Sequence, residues 1–294
     1  MALKRFAAGA ITLAFAATSL AACSSDDNAA GTDAEVITIG TTDATTKMWS
    51  VFQDKAEEQG YNVEVVPFSD YQTPNRALDE GSLVMNQFQH LKFLAEYNVG
   101  SNSDLTPIGS TQIVPLALYS TQVDSVDDIE DGAEVAIPND PSNQGRAINV
   151  LAAADLIQLK QEGLVTPTPA DIDEGASKVR VVPVDAAQTT VAYNEGKLAI
   201  INNSFLDRAG IDPTSAIYQD DPASPEAEPF INVFVVKADR ADDQRLKDLA
   251  AIYHDPEVLE AAREDSKGTA VPVERSEEDL KEILERTEAE VRNS

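Results

Sequence analysis

The segment Ile137-Pro138-Asn139-Asp140-Pro141-Ser142-Asn143-Gln144-Gly145-Arg146-Ala147 sets one arginine at the start of a helix, beside a loop rich in amide side chains. Unpaired backbone N–H groups and the positive end of the helix dipole favour a carboxylate or phosphate at such a point. Arg146 adds a planar fork of donors suited to a carboxylate, and Asn143 stands beside it as a further polar group. The chemistry on offer is recognition of a small anion. Read locally, the same residues also describe an ordinary capped helix with a solvated arginine, and both readings stay open.

A strand and a helix must hold that loop. The apolar run over 133–137 reads as a buried strand, and Ala147, Ile148 and Leu151 recur at helical spacing, predicting a helix over 144–159. The same alternation fills the chain. Strands over 35–40 and 63–67 bracket a helix with Met48, Val51, Phe52 and Ala56 on one face, which stops at Gly60. Thr73-Pro74 opens a short helix that Gly81 closes. A strand over 83–86, a helix bearing His90, Phe93, Leu94 and Tyr97, and a strand over 112–119 complete the first set. The second set adds strands over 179–184 and 198–202 and a helix over 186–195, with acidic, proline-containing loops over 163–177 and 219–229. After a strand over 230–237, three helices finish the chain, the last from Ser276 with Leu280, Ile283, Leu284 and Val291 on one stripe.

This pattern predicts an α/β architecture with mainly parallel sheets covered on both faces, and no repeat of fixed period. Chain crossings near Tyr119 and Phe230 divide it into two lobes, one of 35–118 with 235–294 and one of 119–234. Ligands of open α/β sheets bind beyond the carboxyl ends of the strands, so the cleft between the lobes is the expected site.

The first 22 residues place Lys4 and Arg5 before an apolar stretch over 6–17 and end in Leu20-Ala21-Ala22 before Cys23. The apolar run is shorter than the roughly 20 residues of a membrane span and reads as a cleavable export signal. Cys23 is the only cysteine of the chain, so no intramolecular disulfide is possible and a lipid attachment point is the expected role. Residues 23–34, rich in Asp, Asn and Gly, lack apolar periodicity and read as a flexible tether. The formal net charge of −29 grows more negative once Lys4 and Arg5 are removed, which argues against nucleic acid and anionic headgroups as partners. The acids are scattered as on a solvated surface, and no metal or cofactor is expected.

Leu20-Ala21-Ala22-Cys23 resembles the lipobox of bacterial lipoproteins, whose cysteine is acylated and becomes the new N-terminus. From about Glu35 to Val273 the chain resembles the NlpA-type lipoproteins, methionine-binding receptors of ABC importers. The blocks that carry the likeness are Asp70-Tyr71-Gln72-Thr73-Pro74-Asn75, Phe88-Gln89-His90, the 137–147 segment, Ala186-Ala187-Gln188, Ile201-Asn202 and Phe230-Ile231-Asn232-Val233. The resemblance implies a two-lobed periplasmic-binding-protein fold of type 2 kind with a hinged interlobe cleft. It also implies a lipid-anchored, monomeric receptor on the extracytoplasmic face of the cell membrane, delivering L-methionine to a permease with its ATPase. By the same resemblance Tyr71, His90, Tyr119, Arg146, Asn202 and Asn232 contact the ligand. Arg146 would hold the α-carboxylate, the amide oxygens of Asn202 and Asn232 would accept from the α-ammonium, and Phe68, Tyr71, Phe88, His90 and Tyr119 would wall the thioether.

Where the family usually carries a Gly-Pro-His type of sequence, this chain has Thr41-Thr42-Asp43-Ala44-Thr45-Thr46, in a loop that faces the cleft. Another apolar amino acid or a methionine-containing dipeptide is therefore the alternative ligand. Each residue also has a plainer local reading: His90 on the stripe of Phe93, Leu94 and Tyr97, Tyr71 in a turn, Asn202 and Asn232 at strand ends, Trp49 in the core. An exported hydrolase finds no support in motifs, since there is no Gly-x-Ser-x-Gly elbow, no His-Glu-x-x-His helix and only two histidines, His90 and His254. An adhesin or scaffold lipoprotein would not need Arg146 and the two asparagines to converge.

Overall fold

The computed structural model describes residues 35–293 apart from positions 162 and 165; the export signal, Cys23 and the tether lie outside the described residues. In chain order the first lobe contributes β1 (Val36–Thr41), α1 (Lys47–Glu58), β2 (Asn62–Pro67), α2 (Pro74–Asp79), β3 (Met85–His90), α3 (Leu91–Ser101) and β4 (Thr106–Ser110). Two short strands follow, β5 (Gln112–Ile113) and β6 (Ala117–Tyr119). The second lobe holds β7 (Glu134–Pro138), α4 (Pro141–Ala153), β8 (Arg180–Val184), α5 (Thr189–Asn194), β9 (Leu198–Ile201), α6 (Leu206–Ala209) and β10 (Tyr218–Gln219). The return to the first lobe is made by β11 (Asn232–Val236), α7 (Gln244–Ala251), α8 (Pro256–Asp265), β12 (Val271–Pro272) and α9 (Glu277–Asn293).

Each lobe is built on a five-stranded sheet, ordered β2-β1-β3-β11-β4 and β10-β6-β9-β7-β8. The sheets are mixed rather than mainly parallel: β1, β2 and β3 run parallel, as do β7, β8 and β9, but β11 is antiparallel to β3 and β4, and β6 is antiparallel to β9. The cause is the double crossing, because a strand that enters a lobe from the other lobe arrives in the opposite sense. Strand pairing puts β6 in the second sheet and β11 in the first, a few residues from the crossings expected near Tyr119 and Phe230.

The expected strand over 112–119 is interrupted. Pro115 has no N–H to give a ladder, and Val114-Pro115-Leu116 forms the first crossing between β5 and β6. The expected helix bearing His90 also differs, since β3 continues through His90 and α3 begins one residue later. Three buried amides in β3, Asn86, Gln87 and Gln89, hide this strand from a periodicity reading. Asn75, Asn86 and Gln89 bond one another at 2.6–2.9 Å, and Gln87 donates to Thr111 at 3.3 Å, so burial leaves their polar groups partnered.

Packing fixes the rest of the first lobe. Trp49 and Phe52 from α1 meet Phe234 of β11 in a fully buried aromatic group, with ring centroids 5.4–6.4 Å apart. The indole N–H of Trp49 donates to Asp43 at 2.9 Å. Thr46, at the N-cap of α1, gives no side-chain cap; Asp265 at the end of α8 accepts from Lys47 N and Met48 N instead, at 3.2 and 2.8 Å. In the second lobe, Ile148 and Leu151 of α4 pack with Ile137 and Ile200 of the sheet. Gly145 lets α4 approach the 166–167 segment, where an added Cβ would stand 3.2 Å from Thr166 Cα.

Candidate functional site

Four loops and strand ends converge where the lobes meet. Asp70 Oδ1 accepts from Gln72 N, Thr73 N and Thr73 Oγ1 at 2.9–3.0 Å, closing a turn that turns Tyr71 inward. Thr73, the N-cap residue of α2, makes no side-chain cap; its hydroxyl donates to Asp70 instead. The buried amide group under β3 fixes the strand end that carries Phe88 and His90. From the second lobe, Asp140 caps α4 through Asn143 N at 3.0 Å, with Pro141 at the first helical position. The helix therefore starts at Pro141, earlier than the expected 144, and Arg146 sits in its second turn with its side chain 5% exposed.

A cavity of ≈ 30 Å³ lies between these pieces, lined by Tyr71, Phe88, Gln89, His90, Phe93, Val114, Pro115, Leu116, Asn143, Arg146, Asn202, Asn203, Ser204 and Asn232. Seven of the nine candidate site residues line it. Phe68 and Tyr119 do not. Phe68 packs in the first lobe over Gly40, and Tyr119 lies in the second, its hydroxyl donating to Pro213 O at 3.3 Å. Phe93 and Gln89 take part without having been singled out as site residues. Phe93 stood in the helical stripe, and Gln89 lay inside the Phe-Gln-His block. Asn203 and Ser204 follow Asn202 into a short turn that periodicity does not reveal.

The polar pole is built around Asn143. His90 Nδ1 accepts from Phe93 N at 3.1 Å, so Nε2 carries the proton and donates to Asn143 Oδ1 at 3.3 Å across the cleft. Asn202 Nδ2 donates to the same oxygen at 2.9 Å. Asn202 Oδ1 is then left buried, with no hydrogen bond among the described residues. Burial and the nearby Arg146 push the His90 pKa down to about 3, so the ring is neutral at physiological pH.

Arg146 holds the opposite charge pole. Its Nε and Nη2 donate to Asp220 at 2.6 and 3.1 Å, and Nη2 also donates to Val114 O at 2.9 Å. Nη1 makes no hydrogen bond among the described residues. The guanidinium carbon lies 4.1 Å from the centre of the Phe230 ring. Tyr71 completes the apolar side, with its ring centroid 4.8 Å from Phe205, 5.8 Å from Phe93 and 5.9 Å from Phe88. Arg146 is the one ionised group among these lining residues and Asp220 holds its Nε–Nη2 edge, so the arrangement offers one remaining guanidinium nitrogen, an unpartnered amide oxygen and a ring cluster.

A second opening of ≈ 380 Å³ shares Asn203 and Ser204 with this cavity and extends to Asp43, Thr46, Asp212 and Lys267. Lys267 of the first lobe pairs with Asp212 of the second at 2.6 Å across it, and Thr45 donates to Asp207 at 3.2 Å. Among the described residues, no group of three or more His, Cys, Asp or Glu side chains is placed to hold a metal ion.

Residues 37–274 match the family model described as NlpA lipoprotein. A D-methionine-binding lipoprotein MetQ of Salmonella typhi is 34% identical over 218 residues, which cover 73% of this chain and 79% of that relative. Among solved structures, protein PG110 from Staphylococcus aureus superposes with a TM-score of 0.81 at 35% identity, covering 85% of this chain and 99% of that one. A nutrient binding protein from Burkholderia cenocepacia, solved bound to methionine, gives a TM-score of 0.73 at 34% identity, covering 80% and 99%.

Proposed function

The chain belongs to the NlpA lipoprotein family, and from that premise we propose that it is the extracytoplasmic substrate-binding protein of an ABC importer, with L-methionine as its ligand. The observation that supports this reading is the unpaired, buried Oδ1 of Asn202, a residue that lines one cavity with Arg146. A buried acceptor without a donor is costly, and an α-ammonium would supply the donor while its α-carboxylate meets Arg146. Asn232, at the start of β11, is the second amide assigned to the ammonium. Tyr71, Phe88 and Phe93 would take the thioether, for which sulfur–ring contacts contribute about 0.3–1.5 kcal/mol each.

The cavity of ≈ 30 Å³ is smaller than the roughly 300–1,000 Å³ typical of small-molecule sites, so admission of an amino acid requires the lobes to part. The contacts that must open include Tyr71–Phe205, His90–Asn143, Thr45–Asp207 and Lys267–Asp212. Closure on the ligand would then be read by the permease and its ATPase, the partners that this role requires. The anchor is assigned to an acylated Cys23; among the described residues no helix is long and apolar enough to cross a membrane. A methionine-containing dipeptide is the second reading, favoured by the adjoining ≈ 380 Å³ opening that shares Asn203 and Ser204. Mass spectrometry of small molecules released from purified, denatured protein tests both. Free methionine is expected; a dipeptide as the main species would select the second reading, and neither species would reject both.

A further inference from the structure

The ≈ 380 Å³ opening beside the cavity is lined by carboxylates from both lobes, Asp43 and Asp265 from the first and Asp207 and Asp212 from the second. Lys267 is the one cation among its described lining residues. Bringing the lobes together crowds like charges, and this lysine is the group placed to offset them. It reaches across the cleft to Asp212 Oδ2 at 2.6 Å. Asp212 is held ready for it, since Oδ1 accepts from Thr214 N and Thr214 Oγ1 at 2.9 and 2.8 Å and leaves Oδ2 for the other lobe. Other polar contacts span the cleft, Thr45 with Asp207, Gln72 with Asp185 and Arg208 with the carbonyl of Ser69, but Lys267–Asp212 joins two full charges.

The backbone at Lys267 is unusual for its residue type. It has φ +49 just past the end of α8, in the left-handed region. The other described non-glycine residues with positive φ are Asn102 and Asp155, short polar types that adopt this region more readily, and Asn102 ends α3 in the same way. Glycine or asparagine would close α8 at least as well. The long side chain is therefore explained by what it reaches.

We propose that Lys267 is an electrostatic latch of the closed protein, pairing with Asp212 across an otherwise acidic mouth when the lobes meet. The inference rests on the lobe closure invoked above. Parting of the lobes separates the pair, so its attraction favours the closed state alone, and the apparent affinity for an enclosed ligand follows the closed fraction.

Lys267→Asn tests this, because asparagine suits the left-handed backbone and removes both the charge and the reach. Calorimetry with L-methionine is run on the mature chain at about 0.01 M and about 1 M salt, where the Debye length is roughly 30 and 3 Å. At low salt the variant should bind about two- to fivefold more weakly than wild type, the scale of an exposed ion pair, and at high salt the two should converge. The urea midpoint of the ligand-free variant should not fall, which separates the latch from a role in the fold. Unchanged affinity at low salt, or the same loss at both salts, overturns the inference. Asp212→Asn keeps an acceptor for Thr214 and should weaken binding in the same salt-dependent way; combined with Lys267→Asn it should cost less than the product of the two single losses, and independent losses also overturn the latch. Wild-type protein that does not bind methionine overturns the amino-acid reading instead. The latch is then read from spin labels at Glu57→Cys and Glu195→Cys, exposed positions of the two lobes, in the Cys23→Ser chain. Without ligand and at low salt, the short-distance population should be smaller in Lys267→Asn than with Lys267 present, and equal distributions overturn the proposal.

Discussion

Asp220 grips Arg146 through two nitrogens, at 2.6 Å to Nε and 3.1 Å to Nη2, and with the same carboxylate accepts from Leu116 N at 2.9 Å. The guanidinium also bonds Val114 O and lies over Phe230. It therefore touches the first crossing at Val114 and both ends of the second, at Asp220 and Phe230. A ligand carboxylate cannot use the Nε–Nη2 edge that Asp220 occupies, and Nη1 is the donor that remains.

Arg146→Ala should nearly abolish binding of methionine. Removing one member of a desolvated charge pair costs about 2–5 kcal/mol, which is roughly 30-fold to several thousand-fold in affinity. Thermal stability should fall too, because Asp220 loses its partner at the crossings. Calorimetry showing less than about a threefold loss would place Arg146 outside the binding step.

His90 makes the fold sensitive to acid. Its pKa is about 3 in the folded protein, against 6.5 for a free side chain, because burial and Arg146 oppose the charged ring. Between those values the unfolded chain binds a proton that the folded chain does not, so stability rises with pH across this window. Its contribution is complete above pH 6.5 and is lost as pH falls toward 3. The slope from this one group is at most about 1.4 kcal/mol per pH unit. His90→Gln should flatten the pH dependence of urea unfolding between pH 6 and 4; an unchanged slope would show that His90 is protonated without penalty.

The alternation of strands and helices was legible because Met48, Phe52 and Ala56, or Leu280, Ile283 and Leu284, recur at the spacing of a buried helix face. The candidate site was legible through its motif blocks, as at Phe88-Gln89-His90 and Gly145-Arg146-Ala147, whereas the Asp140 cap with Pro141 at the first helical position was not, because the apolar spacing that marked the helix begins only at Ala147. What stayed hidden was tertiary. Gln87 and Gln89 fell beyond the expected strand over 83–86, and only their bonds, Gln87 to Thr111 and Gln89 to Asn75 and Asn86, reveal a fully buried strand end. Asp220 reads as one more acid in an acidic loop, and nothing in its neighbours announces Arg146, which lies 74 positions away. Phe68 and Tyr119 stand outside the lining of the small cavity, Phe68 over Gly40 and Tyr119 behind Tyr71 and Phe88 in one apolar cluster, a placement that only tertiary packing decides.

The cap of α1 gives a prediction about stability alone. Asp265 accepts the N–H groups of Lys47 and Met48, although 217 or more positions separate them in the chain. Asp265→Ala should lower stability by about 0.5–2 kcal/mol, the usual worth of an N-cap. Urea unfolding should show an earlier midpoint at constant slope; no shift would mean that water serves those donors equally well.

The Cys23 anchor is tested in cells. Stable attachment requires more than a single acyl chain, and a cysteine acylated on both its thiol and its new amino terminus would supply it. Cys23→Ser should leave the precursor uncleaved or release the protein from the membrane fraction. Normal fractionation of that variant would exclude the lipoprotein anchor.

Ligand choice turns on two ends of the site that have different strengths. Under the proposed reading, Arg146 Nη1 and the unpartnered Asn202 Oδ1 would select a free carboxylate and a free ammonium, whereas the ring cluster of Tyr71, Phe88 and Phe93 would select only an apolar side chain. An apolar pocket separates side chains that differ by one methylene by about 1–3 kcal/mol, so norleucine and leucine should bind more weakly than L-methionine without being excluded. N-acetylmethionine should be excluded, since acylation removes the cation that Asn202 awaits and replaces it with an amide that offers a single N–H. Thermal shift reads these differences directly, because a ligand that binds only the folded state stabilises it by RT ln(1 + [L]/Kd). The order expected is L-methionine first, norleucine and leucine behind it, and no shift with N-acetylmethionine. A dipeptide ending in methionine that outranks free methionine would move the ligand's amino end into the ≈ 380 Å³ opening beside Asn203 and Ser204. Strong binding of N-acetylmethionine would remove the ammonium from the recognition scheme.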